Sequence, residues 1–176
     1  MLAQCDGFEI ESALPLTVSG AVASTFLKEV KGHNLEPTLV FHGTPRANHA
    51  GILRQGLVPG GTRGVRVANG SAYGQGIYLG RTLSTSHCYA RGDNTIFVCA
   101  MVENRHFISS HGNIIVCTAP EFVCPLFLVT VRNRMYGESG FRHNEERLQV
   151  LHASFARNKA HPAVAPLPPA GVSLVL

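Results

Sequence analysis

Apolar positions along the chain recur first at helical and later at strand spacing. Residues 21–31, AVASTFLKEVK, place Ala21, Phe26, Leu27 and Val30 on one helical stripe, with Gly32 suited to end the helix. Leu39-Val40-Phe41 reads as a short strand leading directly into His42. A second helical stretch runs from Asn48 to Gln55, with Ala50, Ile52 and Leu53 inward and Gly56 suited to a left-handed cap. Ile77 to Leu79 reads as a strand, and residues 82–90 as a helix opened by Thr82 or Ser84. In the second half Thr95–Val102, Asn113–Cys117 and Leu126–Val131 are rich in β-branched or aromatic residues between turn formers, the signature of strands. Glu145 to Asn158 patterns as one more helix. Residues 1–20, which contain Pro15 and Gly20, read as an irregular lead-in, and the tail from His161 as an extended proline-rich segment. Short helices beside dominant strands predict an α+β fold and not a doubly wound sheet.

Between the second helix and the Ile77 strand, residues 58–72 combine Pro59, several glycines, Arg63 and Arg66. Such a loop is too polar for a core, and its position makes it a candidate lid over a pocket. The length, 176 residues, suits one domain that can bury a core without metal or disulfide support. The composition is 45% hydrophobic and 15% charged, with no stretch as long as a membrane span, which predicts a soluble domain with no membrane partner. Asp6, Glu9 and Glu11 near the start do not fit a secretory signal. The five cysteines show no CxxC and no ligand spacing with histidine, so they read as free thiols in a reducing, intracellular compartment, with no metal. The net charge of +4 is dispersed, which argues against a nucleic-acid-binding module. A small anion such as a pyrophosphate needs only one or two arginines, and Arg66 is the candidate.

The chemistry concentrates in Phe41-His42-Gly43-Thr44 and in the run from Tyr73 through Gly74, Gly76, Tyr78, Ser84 and Ser86 to Tyr89. An imidazole at a strand's carboxyl end can donate to a ribose hydroxyl, while Gly43 leaves its backbone N–H and C=O open to a planar amide. Tyr78 and Tyr89 can flank a flat ring. Ser86 lies one helical turn before Tyr89 and can reach that ring's substituent. Taken singly, each has a plainer reading: a structural histidine at a strand end, tyrosines packed in a core, a serine on a helix.

Together these motifs resemble the catalytic domain of the poly(ADP-ribose) polymerase-like ADP-ribosyltransferases. The matching residues are His42 to Thr44, the helix end Ile52-Leu53-Arg54-Gln55-Gly56-Leu57, the YGQGIYL of Tyr73 to Leu79, and the SxSxxY of Ser84 to Tyr89. The resemblance covers roughly residues 38–131. It implies a split, mostly antiparallel sheet with short flanking helices, and NAD as donor. It further implies that Gly43 and Ser86 hold the nicotinamide carboxamide, Tyr78 and Tyr89 flank the ring, His42 holds the adenosine ribose, Thr44 is a further donor-binding residue, and the 58–72 loop lies over the donor.

Chain-elongating members of that family carry a glutamate at the start of a late strand. Laying their strands over Asn113 to Val116 places Asn113 there, and a shift of one residue places Ile114. A carboxylate stabilises a developing oxocarbenium ion and accepts a proton, and losing such a group costs on the order of 10²–10³ in rate. The expectation is therefore single transfer of ADP-ribose to a protein side chain or nucleic-acid end, with His42, Tyr78 and Asn113 as the catalytic set. The alternative is an inactive domain that senses NAD or ADP-ribose. The expected boundaries are 1–37 for a lead-in and helix packed on the core, 38–158 for the catalytic domain and 159–176 for the tail, all as part of a longer multidomain protein.

Overall fold

The computed structural model describes residues 7–62, 72–133, 149, 150 and 153. Among these residues seven strands form one sheet: β1 (Phe8–Pro15), β2 (Thr38–His42), β3 (Ile77–Gly80), β4 (Thr95–Met101), β5 (Ile108–His111), β6 (Ile114–Cys117) and β7 (Val123–Asn133). Their spatial order is β1-β7-β4-β2-β3-β6-β5, and every pairing is antiparallel. Helices α1 (Gly20–His33), α2 (His49–Gln55) and α3 (Leu83–His87) flank the sheet. This is the expected α+β architecture with a mostly antiparallel core.

The two faces of the sheet bury separate sets of side chains. On one, Phe26 of α1 and Ile52 of α2 pack with Val40, Phe97, Cys99, Met101, Ile77, Leu79 and Ile115. On the other, Leu83 of α3 packs with Leu39, Phe41, Ile96, Val98 and Val129, joined by Phe8 and Ile10. Strands buried on both sides must be apolar almost throughout, which is why β4 reads as a continuous hydrophobic run.

Four elements differ from the sequence expectation. The lead-in contains β1, an edge strand paired along β7, with Phe8 and Ile10 turned inward. Its Glu9 and Glu11 are both held by Arg132 of β7, at 2.7 Å and 3.4 Å. Helix α1 runs through Gly32 and stops at Asn34, which takes the left-handed conformation at φ 49°. Asparagine tolerates that region better than most residues. Strand β7 extends back to Val123 because the irregularity between Val98 and Cys99 accommodates Pro125, which has no N–H to give the ladder. A further strand, β5, precedes β6 as its hairpin partner. Of the helix expected at 145–158, Gln149, Val150 and Ala153 are helical and the rest lies outside the described residues.

The sheet divides between β2 and β3. These neighbours share a single paired position, Phe41 with Gly80, whereas β2 pairs with β4 over five positions from Thr38 to His42. Beyond Phe41 the two strands part, and the candidate site lies at that parting.

Candidate functional site

His42 is the last residue of β2, and its Nδ1 lies 2.9 Å from the carbonyl oxygen of Tyr78 in β3. A carbonyl only accepts, so Nδ1 carries the proton and Nε2 is left as an acceptor. The side chain thus takes the place of a ladder bond that the parted strands no longer make. Enclosure of the ring is the largest influence on His42 and lowers its pKa; the bond to Tyr78 raises it, and the neighbouring His49 lowers it further. The imidazole is therefore held neutral, with a fixed tautomer.

Gly43 follows, and its lack of a side chain is a packing requirement. A Cβ there would overlap the carbonyl oxygen of Ser86, with the backbone nitrogen of Ala90 at 3.3 Å. Helix α3 can lie this close to the β2 end only because residue 43 is glycine. The same helix approaches β3, where a Cβ on Gly80 would sit 2.5 Å from Ser86 Oγ and 2.9 Å from the Thr82 carbonyl oxygen. Thr82 caps α3, its hydroxyl accepting from the Thr85 N–H at 3.3 Å. Ser86 is buried, and its carbonyl accepts the Tyr89 N–H at 3.0 Å just beyond the helix. Thr44 is buried as well, its hydroxyl accepting from Asn48 Nδ2 at 2.8 Å.

Tyr78 projects from the middle of β3. Its hydroxyl donates to the Gly74 carbonyl at 2.8 Å and accepts the Tyr73 N–H at 3.1 Å, which ties the ring's far end to the glycine-rich turn. Gly74 takes φ 89°, a conformation open to glycine at little cost. Gln75 Nε2 donates to the Gly60 carbonyl at 3.0 Å and so joins this turn to the start of the 58–72 loop. Arg66 and most of that loop lie outside the described residues.

Where β2 and β3 part, the structure thus places His42 against Tyr78 and Gly43 against Ser86, whose carbonyl meets the Tyr89 backbone. Asn113 does not join them. It is the second residue of the two-residue turn Gly112-Asn113 between β5 and β6, and Gly112 supplies the positive φ of 61°. Its carbonyl accepts the Arg81 N–H at 2.9 Å. The register pairs Tyr78 with Val116 and Gly80 with Ile114, and directly paired residues point to the same face. Ile114 therefore shares the Tyr78 face, whereas Asn113 sits in the turn, outside the ladder.

Residues 18–109 match the poly(ADP-ribose) polymerase catalytic domain family. The chain belongs to this family. The match runs from just before α1 into β5, so it spans the His42, Tyr78 and Ser86 cleft and ends before the hairpin turn. Membership places the protein in the NAD-using, poly(ADP-ribose) polymerase-like superfamily. Among the described residues no group of three or more His, Cys, Asp or Glu side chains is arranged around a metal site. No helix of the described residues is long and apolar enough to cross a membrane.

One residue outside those motifs, His111, packs on the Tyr73 end of the glycine-rich run. The Tyr73 ring stacks on His111 with centroids 4.0 Å apart and planes 12° from parallel. His111 is paired with Ile114 across the hairpin. A Gly-Asn dipeptide between two strand-length runs is the signal that marks this hairpin.

Proposed function

We propose that the domain is a mono-ADP-ribosyltransferase, moving one ADP-ribose from NAD to a protein side chain or nucleic-acid end and releasing nicotinamide. The observation that carries this reading is the cleft itself: a neutral His42 bonded to the Tyr78 backbone, with Gly43 pressed against Ser86. In it the Gly43 peptide and the Ser86 hydroxyl hold the carboxamide, while Tyr78 and Tyr89 flank the nicotinamide ring. With its proton committed to Tyr78, His42 accepts a ribose hydroxyl at Nε2 instead of donating to one. Thr44 and Asn48 border the same ribose, and Arg66 serves the pyrophosphate.

We take Ile114, the other candidate beside Asn113, as the residue at the glutamate position, a reading supported by its sharing the Tyr78 face. An apolar side chain neither grips a ribose hydroxyl nor steadies positive charge. Missing transition-state stabilisation of this kind costs about 10²–10³ in rate. Elongation of ADP-ribose upon ADP-ribose, which needs that grip, is lost, and single transfer is retained. The same isoleucine favours the second reading, a domain that binds NAD or ADP-ribose without turnover.

Incubation with NAD labelled in the nicotinamide ring separates the two readings. The transferase releases label, and Tyr78→Ala stops the release. Saturable NAD binding with no release by the unaltered protein would establish the sensor.

A further inference from the structure

The β5–β6 hairpin places a titratable ring beside the position that Ile114 leaves without a charge. His111 and Ile114 close the hairpin as a direct pair, so their side chains lie on one face with Cβ atoms about 4.5–5.5 Å apart. That face also carries Tyr78, through the Tyr78–Val116 and Gly80–Ile114 pairs. The His111 ring is only half-buried, and it is held on two sides. Tyr73 stacks on it, and Ser109 Oγ lies 3.2 Å from its Nε2. Tyr73 in turn gives its N–H to the Tyr78 hydroxyl, so the stack and the ring proposed to flank nicotinamide form one connected unit. By contact His111 is linked to the Tyr73 ring and Ser109, and through Tyr73 to the Tyr78 phenol; α3, with His87 and Cys88, packs on the same side of the sheet. Arg81 lies on the opposite face, where it holds Ser110 Oγ at 3.1 Å and Glu103 at 3.7 Å.

We propose that His111 is the acceptor-side base of this site, taking the proton from a neutral hydroxyl acceptor that Ile114 cannot deprotonate. The proposal rests on the transferase reading and widens its acceptor class from anionic groups to alcohols. In the step, the glycosidic C–N bond breaks with its electron pair passing to nicotinamide, which leaves neutral. The acceptor oxygen bonds to the ribose anomeric carbon, and its proton passes to an imidazole nitrogen of His111 and then to solvent. An anionic acceptor carries no such proton and gains nothing from the histidine.

Two probe nucleophiles test this with NAD as donor: methanol, which must lose a proton, and azide, which need not. His111→Gln and His111→Phe, the latter keeping a ring against Tyr73, are compared with the unaltered protein. The methanol product is expected to fall about 10²-fold in both variants, the usual share of a general base. The azide product stays within about threefold, because it needs none of that assistance. A parallel fall of both products, or no change in either, overturns the role of His111 while leaving the transferase reading intact. No nicotinamide release by the unaltered protein with either probe overturns both.

Discussion

The two flanks of β3 are built on different terms. Toward β2, the site is made of backbone in tight contact: Gly43 against the Ser86 carbonyl, Gly80 under Ser86 Oγ, His42 Nδ1 on the Tyr78 carbonyl. Each position admits one residue type, because a Cβ or a missing ring nitrogen would break the contact. Toward β6 and β5, the site is made of side chains displayed on a half-exposed hairpin, and register alone decides which of them face the cleft. The first flank is covered by the family match and the turn of the second lies beyond its end. The β2 flank is thus fixed by the steric needs of the fold, while the hairpin flank can change residue by residue at little structural cost.

The sharpest way to break this contrast is on the donor flank. Gly43→Ala forces a methyl into the Ser86 carbonyl, and backbone on both sides has little room to give. We expect at least about 1–3 kcal/mol of destabilisation, the usual cost of overpacking, read as a lower urea midpoint, together with loss of NAD binding by calorimetry. A protein of unchanged stability and affinity would show that α3 does not sit against residue 43. Next in size, Ile114→Glu is expected to raise nicotinamide release by about 10-fold or more, part of the range a transition-state electrostatic group supplies, whereas Asn113→Glu changes it little. Equal gains from both substitutions, or a gain only at 113, would mean that the register of β6 is shifted by one.

That one-residue distinction marks where the sequence stopped being sufficient. The segments holding His42, Gly43, Tyr78 and Ser86 were legible as motifs because their contacts, His42 on Tyr78 and Gly43 against Ser86, demand particular residue types at fixed separations. The strand carrying Ile114 was legible as a strand, but apolar runs such as Asn113-Ile114-Ile115-Val116 do not show their register, and a slip of one exchanges the faces. Ser109-Ser110-His111 has little β-propensity, so β5 emerged only once the Gly112-Asn113 turn paired it with β6. Strand β1 was hidden by Glu9, Glu11 and Pro15, which are at home on an edge strand, where charges face solvent and proline terminates pairing.

Smaller effects refine the comparison. His42 titrates below its ordinary value of 6.5 in the folded protein, so the unfolded chain takes up the proton first. Its contribution to stability is complete above that value and is lost as the pH falls through it toward the lower folded value. Urea midpoints should therefore fall on acidification below about pH 6.5, and His42→Gln should flatten that slope. An identical slope in the variant would assign the pH dependence to another group. Tyr78→Phe removes the bonds to Gly74 and Tyr73 while keeping the ring, at about 1 kcal/mol of stability. Its nicotinamide release should fall far less than that of Tyr78→Ala. Thr82→Ala, which uncaps α3, is expected to cost about 1 kcal/mol and to weaken NAD binding modestly, in thermal melts and titrations of the same preparation.

The most direct test of single transfer is the intact mass of the protein after incubation with NAD and a candidate acceptor. The account predicts acceptor or protein molecules carrying one ADP-ribose per modified site, with no series of growing chains and no adduct from Tyr78→Ala. Mass ladders of successive ADP-ribose units on one site would contradict the assignment of Ile114 to the glutamate position. Complete absence of adducts despite saturable NAD binding would contradict transfer itself.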